Sequence, residues 1–174
     1  MVVTSSQQAP GDLEQVRELL NSWWIPNDVR VPEDRFDAYV AAHHPGLPVS
    51  ELRRLRALRD DVRAVVEGAA LLPSLDGWIP KLKVRPRLVD DGHEVTFDAG
   101  ESVAGTLLSI VLRAVQNGTW PRLKACPDCR WVFFDPTRNG TKRWCLMNAG
   151  SPAGRACGTI AKVRRFRERQ RGEE

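Results

Sequence analysis

The chain of 174 residues lacks any apolar run approaching the roughly 18 residues that cross a bilayer, so no membrane-spanning helix is expected. Residues 1–11 are polar, with no basic start, apolar core or small-residue cleavage site, and are expected to be a disordered terminus, not an export signal. These absences point to a soluble protein of the cytoplasm that does not engage membranes. There is no cysteine before Cys126 and no histidine after His93. A disulfide framework across the first two thirds is thereby excluded, as is any metal site in the tail that uses imidazole. There is no internal repeat or low-complexity tract. No nucleophile–base pair is legible either: His43-His44 stands before Pro45-Gly46 in what reads as a loop, so the reading leans away from an enzyme.

What is present is unevenly distributed. The formal net charge is +4. Residues 1–120 hold 13 Lys+Arg against 17 Asp+Glu, whereas the last 54 residues hold 13 basic against 5 acidic and all four cysteines. Charge and cysteine thus set one boundary independently: a helical N-terminal domain over 12–120, for ligand sensing or dimerisation, and a four-cysteine basic module over 121–174.

Within 12–120, Asp12 is positioned to cap a helix carrying Val16, Leu19, Leu20 and Trp23. Residues 25–32 read as a loop, and 33–43 as a short helix with Phe36, Tyr39 and Val40 inward. Over 50–70, Leu52, Leu55, Leu58, Val62, Val65, Val66 and Ala69 form an apolar face, while Arg53, Arg56, Asp60, Arg63 and Glu67 form a mixed-charge face expected to be solvated. The Asp90-Asp91-Gly92 turn, between short β-prone runs around Val84–Val89 and His93–Phe97, signals one hairpin, with Pro86 confining its first strand to an edge. Residues 100–117 carry an apolar arc wide enough for a central core helix, closed by Asn117-Gly118. The fold class expected is mainly α with a small β-hairpin, followed by a metal-stapled hairpin and a basic C-terminal helix.

The tail places Cys126 and Cys129 at Cys-x-x-Cys spacing, then Cys145, then Cys157. Two thiolates on one tight turn can face a single ion, and a second pair completes a tetrahedron. Four soft ligands favour structural Zn²⁺, closed to a catalytic water. The alternatives are two disulfides, a redox Cys-x-x-Cys and an iron–sulfur cluster; lack of an export signal disfavours the first and lack of a βαβ pattern the second. Between the pairs, residues 130–135 alternate as a strand that Arg138-Asn139-Gly140 would turn back along Lys142-Arg143-Trp144, with Trp131, Phe133 and Trp144 packing around the metal. The segment containing Gly150, Ser151, Pro152 and Gly154 must loop out to return Cys157. Beyond it, residues 159–171 read as a basic helix in which Lys162, Arg164, Arg165, Arg167, Arg169 and Arg171 face a single Glu168, with Val163 and Phe166 as an apolar anchoring strip.

The run Cys126-x-x-Cys129-x-x-x-Phe133-Phe134-Asp135-x-x-Arg138-Asn139, then Lys142-Arg143-Trp144-Cys145-x-Met147, then Cys157-Gly158-x-x-Ala161-Lys162-x-Arg164-Arg165-x-Arg167, resembles the CGNR zinc-finger family. Upstream, Leu19-Leu20-Asn21-Ser22-Trp23 and Leu55-x-x-Leu58-Arg59 are more loosely similar to the ABATE-type helical domain that precedes the finger. The name-giving Cys-Gly-Asn-Arg stands here as Cys157-Gly158-Thr159-Ile160, and the span between Cys145 and Cys157 is longer than the family's. The resemblance implies a stress-induced bacterial transcription regulator.

The leading expectation is therefore a DNA-binding regulator with a structural Zn²⁺, in which Lys142, Arg143, Lys162, Arg164, Arg165, Arg167 and Arg169 meet phosphates. A second reading is a small enzyme, or a subunit of a heteromeric one, with Trp23, Trp24, Trp78 and Trp120 lining a pocket for a substrate or small-molecule effector. A third is a protein-interaction module that docks a partner protein or a second copy.

Overall fold

The computed structural model describes residues 7–89, 95–146 and 156–171, with the side chains of 164, 165 and 171 outside the description. The expected turn at 90–92, the loop at 150–154 and Met147 lie outside the described residues, as do residues 1–6 of the terminus. The fold is about half helical, with small antiparallel ladders, and its elements run as follows. Helix α1 (Leu13–Leu20) leads to β1 (Trp23–Trp24) and β2 (Glu33–Asp34); α2 (Phe36–His43) and the long α3 (Val49–Val66) come next. A 3₁₀ turn (Leu72–Leu75), α4 (Trp78–Lys81) and the pair β3 (Arg85–Leu88) and β4 (Val95–Asp98) precede α5 (Val103–Gln116). After a 3₁₀ turn (Trp120–Arg122) come β5 (Leu123–Ala125), β6 (Val132–Phe134) and α6 (Cys157–Arg171).

The core is a three-helix packing of α1, α3 and α5, built on the faces that helical period marks out: Val16, Leu19 and Leu20; Leu55, Leu58 and Val62; Leu107, Leu108 and Val111. Helix α5 begins with Ser102 at its N-cap, the hydroxyl accepting from the Gly105 amide at 3.1 Å. Glu51 of α3 reinforces that cap, its carboxylate accepting from the Ser102 hydroxyl at 2.7 Å and the Ala104 amide at 3.1 Å. Gly105 is required for close packing, since a Cβ there would lie 2.5 Å from the Ala99 methyl. Strands β3 and β4 pair as the expected hairpin requires, with Pro86 opposite Phe97 in a two-stranded sheet that has no inner strand for proline to disrupt.

Several expectations are corrected. Asp12 stands at the N-cap of α1 but its side chain makes no capping hydrogen bond; its carboxylate takes the Arg113 guanidinium at 2.7 Å instead. Trp23 lies outside α1, on a β1–β2 ladder that periodicity did not reveal; it pairs with Asp34, and α2 starts only at Phe36. That ladder is held to α3 by the buried Arg59, whose guanidinium donates to both Asp34 carboxylate oxygens at 2.7 and 3.0 Å. Helix α3 ends at Val66, leaving Ala69 exposed. Of the His43-His44 pair only His44 lies in the connection after α2; His43 is the last residue of the helix and stacks on Tyr39 with ring centroids 4.5 Å apart. Most consequentially, Arg63 on the supposedly solvated face of α3 is buried.

Candidate metal centre

The four cysteines converge. Cys126, Cys129, Cys145 and Cys157 are all buried, and their four Sγ atoms lie within 4.8 Å of one another. Cys129 to Cys145 is 3.5 Å and Cys145 to Cys157 is 3.7 Å, far beyond the roughly 2.05 Å of a disulfide. Four sulfurs bound tetrahedrally at about 2.3 Å from one ion would be spaced by about 3.8 Å, so the set fits a tetrathiolate metal site. Without a cation such a cluster cannot ionise uniformly. Hydrogen bonds from Cys129, Cys145 and Cys157 push the Cys126 thiol far below its ordinary range, while Cys126 foremost pushes Cys145 far above it. A divalent ion would remove the conflict by stabilising every thiolate at once.

The first pair sits on a turn connecting β5 to β6. Its ends are pinned by the Cys126 amide donating to the Trp131 carbonyl and the Arg130 amide to the Cys126 carbonyl, both at 2.9 Å. Arg130 adopts φ 60° to close the turn. The hairpin is therefore not the expected one. Strand β6 pairs with β5, Leu123 opposite Phe134 and Ala125 opposite Val132, and residues 142–144 form no strand. The alternation along 132–134 is real, but both faces are covered: Val132 and Phe134 join the helical core, and Phe133 packs with Trp131, Trp144 and the cysteines.

The chain from Asp135 to Lys142 is organised by one buried carboxylate. Asp135 accepts from the Lys124 ammonium at 2.8 Å, the Thr137 hydroxyl at 2.6 Å and amide at 3.0 Å, and the Lys142 amide at 2.8 Å. Burial alone would raise its pKa, but these donors outweigh it and hold the carboxyl well below the usual range.

The helical half supplies the rest of the wall. Gln7 donates to the Cys145 carbonyl at 2.8 Å, the Ile25 amide to the Cys129 carbonyl at 2.9 Å, and Asn27 Nδ2 lies 3.4 Å from Cys157 Sγ. Trp24 packs against the cysteine cluster and meets Trp131 edge to face. Arg63 reaches across from α3, donating to the Trp23 carbonyl at 2.9 Å and the Arg130 carbonyl at 3.1 Å. Among these polar side chains the sequence singles out only Arg63, on a face expected to be solvated.

Cys157 begins α6, so a sulfur of the cluster lies at the root of the basic helix. Its first turn is buried through Cys157, Gly158 and Ala161; beyond it Lys162, Arg167 and Arg169 are exposed. Val163 and Phe166 are exposed too, at 43% and 57%, and do not anchor the helix as expected. Arg164, Arg165 and Arg171 have side chains outside the described residues. Arg143 is exposed, and Lys142 is half-buried with its ammonium 5.2 Å from the Phe133 ring centre. The four tryptophans do not share a cavity among those described. Trp78 and Trp120 belong to the core, Trp23 faces a cavity beside Arg59 and Arg63, and Trp24 faces another beside Tyr39 and Trp131.

Residues 122–170 match the CGNR zinc finger family, which assigns this segment of the chain to that finger and leaves the helical half outside the match. Among curated proteins, no match to the chain is found. Among the described residues no helix is long and apolar enough to cross a membrane.

Proposed function

We propose that Cys126, Cys129, Cys145 and Cys157 hold a structural Zn²⁺ and that the basic helix rooted on it contacts nucleic-acid phosphates, making this a DNA-binding regulator of the cytoplasm. The ion would supply only charge and cross-linking, because four protein sulfurs fill a tetrahedral shell and leave no position for a substrate or water. The observation that carries the reading is that Cys157 is both a member of the sulfur cluster and the first residue of α6. Metal binding thereby fixes the base of a helix whose later turns expose Lys162, Arg167 and Arg169. Six basic residues against one acidic one on this helix provide a footprint for a polyanion. The test is a salt titration of duplex DNA binding by the full chain. Affinity falling steeply with salt, and lost on chelation, supports the reading; no binding at low salt, or a log–log slope near zero, overturns it.

A cavity of about 390 Å³ supports a companion role for the helical half as an effector sensor. Trp24, Tyr39, His43 and Trp131 line it, along with Arg35, and its size suits a small molecule. Trp131 connects it to the sulfur cluster, so an occupant would touch the finger directly.

A further inference from the structure

We infer that the metal site is completed by a strap from the helical half, residues 25–30, in which Asn27 is a positioning residue that donates an N–H hydrogen bond to the Cys157 thiolate. The inference rests on the metal reading above and specifies which residues outside the cysteines control it.

The strap grips the metal site at three points, two on the cysteine turn and one at the root of α6. The Ile25 amide donates to the Cys129 carbonyl at 2.9 Å. Asn27 places its side-chain amide against Cys157, with Nδ2 at 3.4 Å and Oδ1 at 3.6 Å from Sγ. Arg30 holds Asp128, between the first two cysteines, through the carboxylate at 3.3 and 3.4 Å and the backbone carbonyl at 3.2 Å. Arg30 does so from a left-handed backbone conformation, φ 57°, which a non-glycine residue rarely adopts unless its surroundings hold it there.

The chemistry decides which atom of Asn27 matters. A metal-bound thiolate has no proton and can only accept, so the oxygen contact is idle once a metal is present and the Nδ2–H···Sγ contact is the operative one. A tetrathiolate around a divalent ion carries two excess negative charges, and in a buried site each must be met by donors. Outer-shell donors of this kind typically contribute about 10- to 100-fold to metal affinity. Because Asn27 and Cys157 are 130 residues apart, the strap also makes the helical half part of the metal site. The 25–30 loop is thus not a spacer.

The experiment is competitive Co²⁺ titration against a chelator on the full chain, comparing wild type with Asn27→Asp and Asn27→Ala, with a thermal melt of each loaded protein to verify folding. Asp fills the same space as Asn but cannot donate and adds a negative charge. The expected result is about 10-fold weaker Co²⁺ binding for Asn27→Ala and about 100-fold for Asn27→Asp, with the thiolate-to-Co²⁺ charge-transfer band moved to lower energy in both. Wild-type affinity and an unmoved band in Asn27→Asp would overturn the inference, since a residue that merely fills space tolerates Asp. Should Asn27→Asp fail to fold, an Asn27→Ala chain with wild-type affinity and band overturns it equally. Failure of the metal reading itself is distinct: the wild-type chain would then take up no Co²⁺.

Discussion

Asn21 binds both polar groups of the Val132 backbone: its Nδ2 donates to the Val132 carbonyl at 2.8 Å, and its Oδ1 accepts from the Val132 amide at 2.7 Å. The side chain thereby mimics a neighbouring strand and satisfies β6 on the side that β5 leaves open. Both partners are buried, so deletion strands the Val132 amide away from water and leaves its carbonyl only the Arg17 guanidinium at 3.4 Å. Asn21→Ala is expected to destabilise the metal-loaded protein by about 2–4 kcal/mol, lowering Tm by roughly 5–10 °C. Asn21→Asp, which keeps the acceptor and replaces the donor by a carboxylate facing a carbonyl, is expected to be worse. Differential scanning calorimetry checks both, and a Tm within a degree of wild type for Asn21→Ala would show that water replaces the side chain.

Arg63 performs the same bridging with a charge. Its guanidinium, 4.5 Å from the Trp23 ring centre, joins the Leu20, Trp23 and Arg130 carbonyls and pairs with the Glu67 carboxylate. Arg63→Met removes the donor to three carbonyls and leaves Glu67 without this pairing; a loss of about 3–5 kcal/mol is expected. Arg63→Lys keeps the charge, yet one ammonium cannot span the same acceptors, so it is expected to recover less than half of that loss. Urea unfolding of the two variants, read by tryptophan fluorescence, distinguishes this account from a simple surface ion pair, for which both would stay within about 0.5 kcal/mol of wild type.

What could be read from the sequence follows from how local each signal is. Helices α3 and α5 were legible because their apolar faces repeat within the helix, and the sulfur cluster because Cys-x-x-Cys encodes half of a tetrahedron in four residues. The burial of Arg63 is not legible because a guanidinium on a mixed-charge stripe looks the same in sequence whether it meets water or carbonyls. What buries it is backbone brought from 43 residues upstream and 67 downstream. The β1–β2 ladder is two residues long and leaves no period at all. Strand β5 is Leu-Lys-Ala, too short to alternate, so nothing in the sequence marks it as the partner of the more strand-like 130–135.

Acid should weaken the finger through Asp135. Its pKa is held below the unfolded value of about 3.9, so the stabilisation is fully present above that pH and is lost as pH falls through the folded-state value. Asp135→Asn keeps an acceptor but loses the charge facing the Lys124 ammonium and the Thr137 and Lys142 amides, and is expected to cost about 2–3 kcal/mol at pH 7. The difference between wild type and Asp135→Asn should therefore be constant from pH 5 to 7 and shrink below about pH 4. Urea midpoints measured across that range check it; a difference independent of pH down to 2 would assign the loss to altered packing instead.

The basic helix yields the sharpest test of nucleic-acid contact. Lys162, Arg167 and Arg169 are exposed on the turns of α6 beyond its buried root, so replacing all three by Ala should leave the sulfur cluster intact. If each side chain meets a phosphate, the triple variant loses up to three counterion-release terms, and the slope of log affinity against log salt becomes shallower by about 2–3. Arg53→Ala, an exposed arginine of α3, is the matched control and should leave the slope unchanged. Equal slopes for the triple variant and the wild type would remove these three side chains from the interface. Steady binding by the triple variant would then direct attention to Arg143, the exposed cation beside Cys145.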